Sequence, residues 1–170
     1  EVYSNTGGQM SKSTPRAATA QFASSGKKMP KKNMGMIFAT YGNVYVAQIS
    51  LGANPAQAIK AIAEAEAYDG PSLILAYSHC IAHGIAMDSG VDRCKDAVNS
   101  GHWQLFRYDP RRAEAGQNPL QLDSKDPSMT FEDFASVQNR FRVLKKINPE
   151  AAETLMAQAN KETVERVEMY

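Results

Sequence analysis

The chain has 170 residues, enough for one domain with a buried core. Apolar residues make up 43% and charged residues 22%, which excludes wholesale disorder. No stretch approaches the roughly 18 apolar residues of a membrane span. The formal charge of +1 hides an asymmetry. Residues 1–63 hold seven Lys/Arg and a single acid, Glu1, for a net +6, while the remainder holds twelve Lys/Arg against seventeen Asp/Glu, a net −5. A solvated basic face and an anion-binding N-terminal half both fit that split. Two cysteines cannot make a disulfide framework. The first residue is Glu1, with no initiator methionine or signal-like run, so the chain is expected to be cut from something longer.

In chain order, residues 1–3 are expected to end a strand. Ser4-Asn5-Thr6-Gly7-Gly8 then forms a loop in which two glycines can take positive φ and bring backbone close to a ligand. Residues 14–33 continue as a polar, basic connection, and Lys27–Lys32 is too polar and Pro-broken to be core. Val44–Ile49 predicts a strand. Asn54-Pro55 starts a helix whose apolar stripe is Ile59, Ile62, Ala63 and Ala67, ended by Gly70-Pro71. Ser72–Tyr77 predicts a strand buried on both faces, completing a βαβ unit.

Residues 78–90 are expected as a loop holding His79, Cys80 and His83, and residues 91–100 as a helix closed by Gly101. Gln104–Tyr108 predicts another strand. Residues 111–129 carry Pro, Gly, Asn and Asp with little periodicity and are expected as a surface excursion. Thr130 with Asp133 forms a capping box for a helix to about Ile147, and Asn148-Pro149 starts a last helix towards Tyr170.

Two loops that follow strands could carry chemistry. Ser4–Gln9 is a plain tight turn or a cofactor loop at a strand's carboxyl end. Ser78–His83 offers His79, Cys80 and His83 as zinc ligands, or Cys80 as an ordinary buried thiol; Cys94 does not supply a second cluster at usual spacing. No P-loop, Gly-x-Gly-x-x-Gly or Gly-x-Ser-x-Gly is present.

The run EVYSNTGGQMSKSTPRAATAQFASSGKKMPKKN, followed by strand, helix, strand and AYSHCIAHGI, resembles the C-terminal region of the pyruvate:ferredoxin (flavodoxin) oxidoreductase family. The resemblance covers essentially the whole chain and is most specific in SNTGGQMSKSTP and YSHCIAHGI. It implies an α/β fold, the C-terminal part of a thiamine-diphosphate-binding domain with a mostly parallel sheet flanked by helices and a helical C-terminal extension. Residues 1–110 would belong to that domain, and residues 111–170 would be a surface excursion and helices packed on it. The implied enzyme is cytoplasmic and homodimeric. It oxidises pyruvate with coenzyme A to acetyl-CoA and CO₂ and passes electrons through [4Fe–4S] clusters to ferredoxin or flavodoxin. Its partners include the remainder of the same polypeptide but no nucleic acid and no membrane.

By the resemblance, Mg²⁺ is bound by an Asp of a Gly-Asp-Gly motif, by a Thr placed immediately before Glu1, and by the backbone carbonyl of Val2. Asn5 matches an active-site Asn beside the reacting carbon, and Cys80 the fourth ligand of the cluster nearest the thiamine. His79, His83, His102 and Cys94 match no family role and are expected to be structural. Alternatives are a related oxidoreductase of a different 2-oxoacid, or a non-catalytic α/β module that binds anions or a protein partner. The isolated chain is expected to be inactive.

Overall fold

A computed structural model describes all 170 residues, Glu1–Tyr170. Its centre is strand β3 (Tyr45–Ile49), in which every residue is buried. Beta-branched and aromatic side chains alternate there between two helical layers, the environment in which such residues favour extended backbone. β3 pairs in parallel with β4 (Ser72–Ala76), Tyr45 opposite Ser72 and Ile49 opposite Ala76. On its other side it pairs antiparallel with β5 (Phe106–Tyr108), which pairs antiparallel with β6 (Leu120–Leu122). The sheet order is β4-β3-β5-β6.

The architecture is α/β with flanking helices and a long C-terminal helix, as expected. The sheet itself is mixed, because only β3–β4 is a parallel pair. β5 already runs antiparallel to β3, and the segment expected as an excursion over 111–129 adds β6 antiparallel to β5. It contains β6 and, just before it, the short helix α4 (Pro110–Glu114), and it folds β6 back beside β5 by a short connection.

Helix α2 (Pro55–Glu66) joins β3 to β4 and starts as the sequence predicts. Asn54 Oδ1 accepts the Gln57 N–H at 3.0 Å, with Pro55 in the first turn. Its buried face is a correction. Gln57, Ala58 and Ala61 meet the sheet, whereas Ile59 and Ile62 are 66% and 51% exposed, and Ala63 and Ala67 are exposed too. Alanines let the helix lie close on Tyr45, Ala47 and Ile49, and four-residue spacing alone cannot say which of two apolar stripes turns inward. β4 is a second correction. Hydrogen-bonded only to β3, it is an edge strand with Ser72 and Ala76 exposed and Leu73–Leu75 half-buried, not a strand covered on both faces.

The other layer holds the largest cluster. Tyr77, Cys94, Trp103, Leu105, Phe131, Phe134, Phe141, Leu144 and Leu155 pack there with Ala17 and Ala18 from the N-terminal connection. It is built from α3 (Gly90–Asn99), α5 (Phe131–Ser136), α6 (Asn139–Ile147) and α7 (Pro149–Met169). Thr130 and Asp133 make both bonds of the capping box. The helix expected to run on to Ile147 breaks at Val137-Gln138. Gln138 is fully buried there, with its amide donating to Phe134 O and its Oε1 accepting from Arg140 Nε.

The connection over 14–33 is not the solvated linker its polarity suggests. Lys27 is buried and its ammonium donates to the carbonyls of Lys12, Thr14 and Pro30 at 2.9, 2.5 and 3.2 Å. Burial pushes its pKa down to about 8. A lysine spent on capping backbone carbonyls is one the sequence pattern counts as surface. The short helix α1 (Met34–Ala39), capped by Asn33 Oδ1 on the Met36 N–H, was not expected.

Candidate functional site

Strand β1 (Val2–Tyr3) leads into a single 3₁₀ turn, Ser4–Thr6, and the chain returns as β2 (Gln9–Met10), paired antiparallel with β1. Gly7 and Gly8 have φ of +120° and +80°, which makes this tight reversal possible without strain. The Gly8 N–H donates to Tyr3 O, and Thr6 and Gln9 bond each other through side chain and main chain at 2.8–2.9 Å. Gln21 ties the loop down, donating its N–H to Gly8 O and accepting from the Met10 N–H. Asn5 stands at the middle of the turn, exposed, and its amide makes no hydrogen bond within the chain. A free carboxamide on a well-anchored turn is disposed to bind something outside the loop.

The base of the loop is fixed by Glu1. Its carbonyl accepts the hydroxyls of Ser11 at 2.5 Å and Thr14 at 2.7 Å. Its carboxylate is buried against Arg140 at 2.7 Å, Lys31 at 3.5 Å and His102 at 3.6 Å. Burial opposes the charge, but Arg140 and Lys31 outweigh it and hold the carboxyl well below its ordinary value of 4.5. Val2, the expected carbonyl ligand, therefore lies between an ion-paired anchor and the Asn5 turn. Sequence reasoning missed Arg140, which is 2% exposed. The available signal was Glu1 itself, the lone acid among 63 residues, which had to find a cation elsewhere in the fold.

Cys80 follows β4, just before a second 3₁₀ turn, Ile81–His83. It is a half-buried free thiol whose sulfur makes no hydrogen bond. Cys94 is different: buried in the large cluster, with Sγ 3.8 Å from His79 Nδ1.

His79, His83 and His102 form an aromatic group rather than a ligand set. His79 meets His83 edge-on at 5.1 Å and Tyr77 at 5.2 Å, and His102 stacks on Phe134 at 5.0 Å. Burial depresses all three, His79 and His102 to about 4 and His83 to about 3, with Arg140 adding to the effect on His79 and His83. The chain assembles no group of three or more His, Cys, Asp or Glu that could hold a metal ion. These residues do not by themselves make a complete metal centre.

Beside the Asn5 loop lies a cleft of about 810 Å³ lined by Tyr3, Met10, Phe22 and Met29 with Lys12 and Lys28. Phe22 is exposed at φ +64°, a conformation rare for a bulky residue. Here the basic surplus of the N-terminal third is concentrated next to the loop.

No known family model matches the chain. Individual proteins do. The chain is 55% identical along its full length to a pyruvate-flavodoxin oxidoreductase of Nostoc and 49% to a pyruvate:ferredoxin oxidoreductase of Moorella thermoacetica, and it spans 14% of the length of each. A mitochondrial pyruvate dehydrogenase (NADP(+)) of Euglena gracilis is 48% identical over 172 aligned residues, and the chain spans 10% of its length. The chain thus corresponds from end to end to one segment of proteins named pyruvate-flavodoxin and pyruvate:ferredoxin oxidoreductases.

Proposed function

We propose that this chain supplies the thiamine-diphosphate loop and one cluster ligand of an enzyme that oxidatively decarboxylates pyruvate with coenzyme A and passes electrons to ferredoxin or flavodoxin. The observation that carries the proposal is identity of 47–55% to bacterial proteins of those names over alignments that cover the whole chain. Bound thiamine diphosphate would supply the carbanion chemistry that decarboxylation needs, and a [4Fe–4S] cluster the one-electron steps.

The protein's part is placement. The Val2 carbonyl would give Mg²⁺ one hard oxygen ligand, at a position stiffened by Arg140 on Glu1 and by Ser11 and Thr14 on the Glu1 carbonyl. The Asn5 carboxamide, unengaged within the chain, would donate an N–H to the substrate oxygen or carboxylate where negative charge builds up. Cys80 would provide the fourth thiolate of the nearer cluster, a reading supported by its unbonded, half-exposed sulfur. The lysine-lined cleft suits anionic cofactors such as coenzyme A. A cytoplasmic homodimer remains part of the proposal, and no helix is long and apolar enough to cross a membrane.

The test compares Cys80→Ala with Cys94→Ala in the intact protein. Cys80→Ala should lose iron or change the low-temperature electron-spin spectrum while thiamine binding persists; Cys94→Ala should keep the iron content of wild type. Identical iron stoichiometry and identical spectra for both variants would remove Cys80 from the ligand set.

A further inference from the structure

A second cavity, of about 320 Å³, is lined by Glu1 and shares Lys31 and Lys32 with the cleft beside the Asn5 loop. It opens between the carboxyl end of the β4 edge and the last turn of α7, over Trp103. Its size is at the lower end of small-molecule sites. Three cationic side chains line it, Lys31, Lys32 and Arg166, against one carboxylate, Glu1.

That carboxylate is already committed to Arg140 and Lys31. The Lys31 ammonium also donates to Ser13 O at 2.7 Å and sits 5.7 Å over the Trp103 ring. Glu162, the other acid within range of Arg166, is taken by Arg16 at 2.5 Å. The Tyr170 hydroxyl is engaged with Asn33. Arg166 is half-buried and makes no hydrogen bond or ion pair within the chain. Lys32 likewise has no side-chain partner. A guanidinium and an ammonium facing one concave surface, with no acceptor of their own, present a planar N–H fork and a second positive charge suited to an oxyanion. The α7 carboxyl end offers it only the partial charge of a helix terminus.

We infer that this cavity binds an oxyanion, a carboxylate or phosphate group, held by the Arg166 guanidinium with Lys32 as the second cation. Arg166 sets the site apart from the cleft beside the Asn5 loop, which shares Lys31 and Lys32 but not Arg166, and the inference does not depend on the function proposed for that loop. The same chemistry has two sources: a free small anion, or an acidic side chain of another polypeptide segment.

The experiment is the crystal structure of the intact protein with and without inorganic phosphate, paired with phosphate calorimetry on wild type, Arg166→Gln and Lys32→Gln. A phosphate oxygen within hydrogen-bond distance of the guanidinium, with binding weakened roughly 10-fold or more in Arg166→Gln and less in Lys32→Gln, supports a free anion. A carboxylate seated on Arg166, with no phosphate uptake and a lower melting temperature for Arg166→Gln, supports a protein source. Arg166 without an anion in both crystals overturns the inference. So does phosphate in the crystal with equal affinities for wild type and Arg166→Gln, an adventitious ion only.

Discussion

Replacing Arg140 by Met tests how the loop is held. The substitution keeps much of the side-chain volume and removes the charge, so packing against Phe141 is disturbed less than the electrostatics. It leaves the Glu1 carboxylate buried with Lys31 at 3.5 Å and His102 at 3.6 Å as its remaining neighbours, and His102 is held neutral by burial. Breaking a buried pair by removing one partner costs about 3–5 kcal/mol. At roughly 1.4 kcal/mol per decade, local opening of the segment from Glu1 to Thr14 should rise about 100-fold or more. Hydrogen exchange read by mass spectrometry on peptides from that segment, in the intact protein, measures this. The carboxyl's proton affinity is depressed in the fold, so the pair stabilises above the ordinary value of 4.5 and is lost as pH falls below it. The penalty of Arg140→Met should therefore shrink towards pH 4, and Glu1→Gln with Arg140→Met should recover most of the protection. Less than threefold faster exchange at pH 7, or a penalty equal at pH 7 and pH 4, would refute the role assigned to the pair.

Three further outcomes are expected. Asn5→Ala in the intact enzyme should lower turnover by about 10²–10³ with little change in thiamine affinity, the typical loss for one well-placed donor; turnover within threefold of wild type would return Asn5 to an ordinary turn residue. Because the fold depresses His79, His83 and His102 below 6.5, their contribution is complete above pH 6.5 and drains away as pH falls towards 4. Denaturant midpoints across that window should decline steadily, and imidazole NMR signals titrating near 6.5 would contradict the burial argument. Gly26→Ala should destabilise by about 2 kcal/mol or more, because φ is +80° and the new Cβ would lie 2.6 Å from Leu144 Cδ2. A melting temperature unchanged from wild type would contradict it.

Much of the frame was legible because local chemistry decides it. Asn54-Pro55, Asn148-Pro149 and the Thr130–Asp133 box cap helices wherever they occur, and all three do so here. Gly7-Gly8 announced a reversal that needs positive φ. What was hidden depends on partners distant in sequence. Nothing local tells that Ala58 and Ala61 rather than Ile59 and Ile62 face the sheet, or that Lys27 is folded inward onto three carbonyls. β6 has only three residues, and it is a strand because β5 is beside it. Of the site, Asn5 and Cys80 came from motif resemblance, and the structure leaves the Asn5 amide exposed and the Cys80 thiol unbonded. The Arg140 anchor lies 139 residues from Glu1, beyond any pattern window.

The stitching of the first thirty-odd residues to the last thirty also bears on the order in which the molecule can be made. Glu1 needs Arg140, Arg16 needs Glu162, Thr19 donates to the Arg140 carbonyl, and Asn33 meets Tyr170. During synthesis, at about 5–20 residues per second, Arg140 follows Glu1 by roughly 7–28 s. Until then the loop that carries Asn5 has its glycines and its Gln21 tether, with Lys31 but not Arg140 as a counter-charge for Glu1. β3, α2 and β4 lie within 32 residues and can form without that wait. The loop is thus expected among the last parts of the segment to set, and a nascent chain halted before α6 should hold the βαβ unit without a formed site.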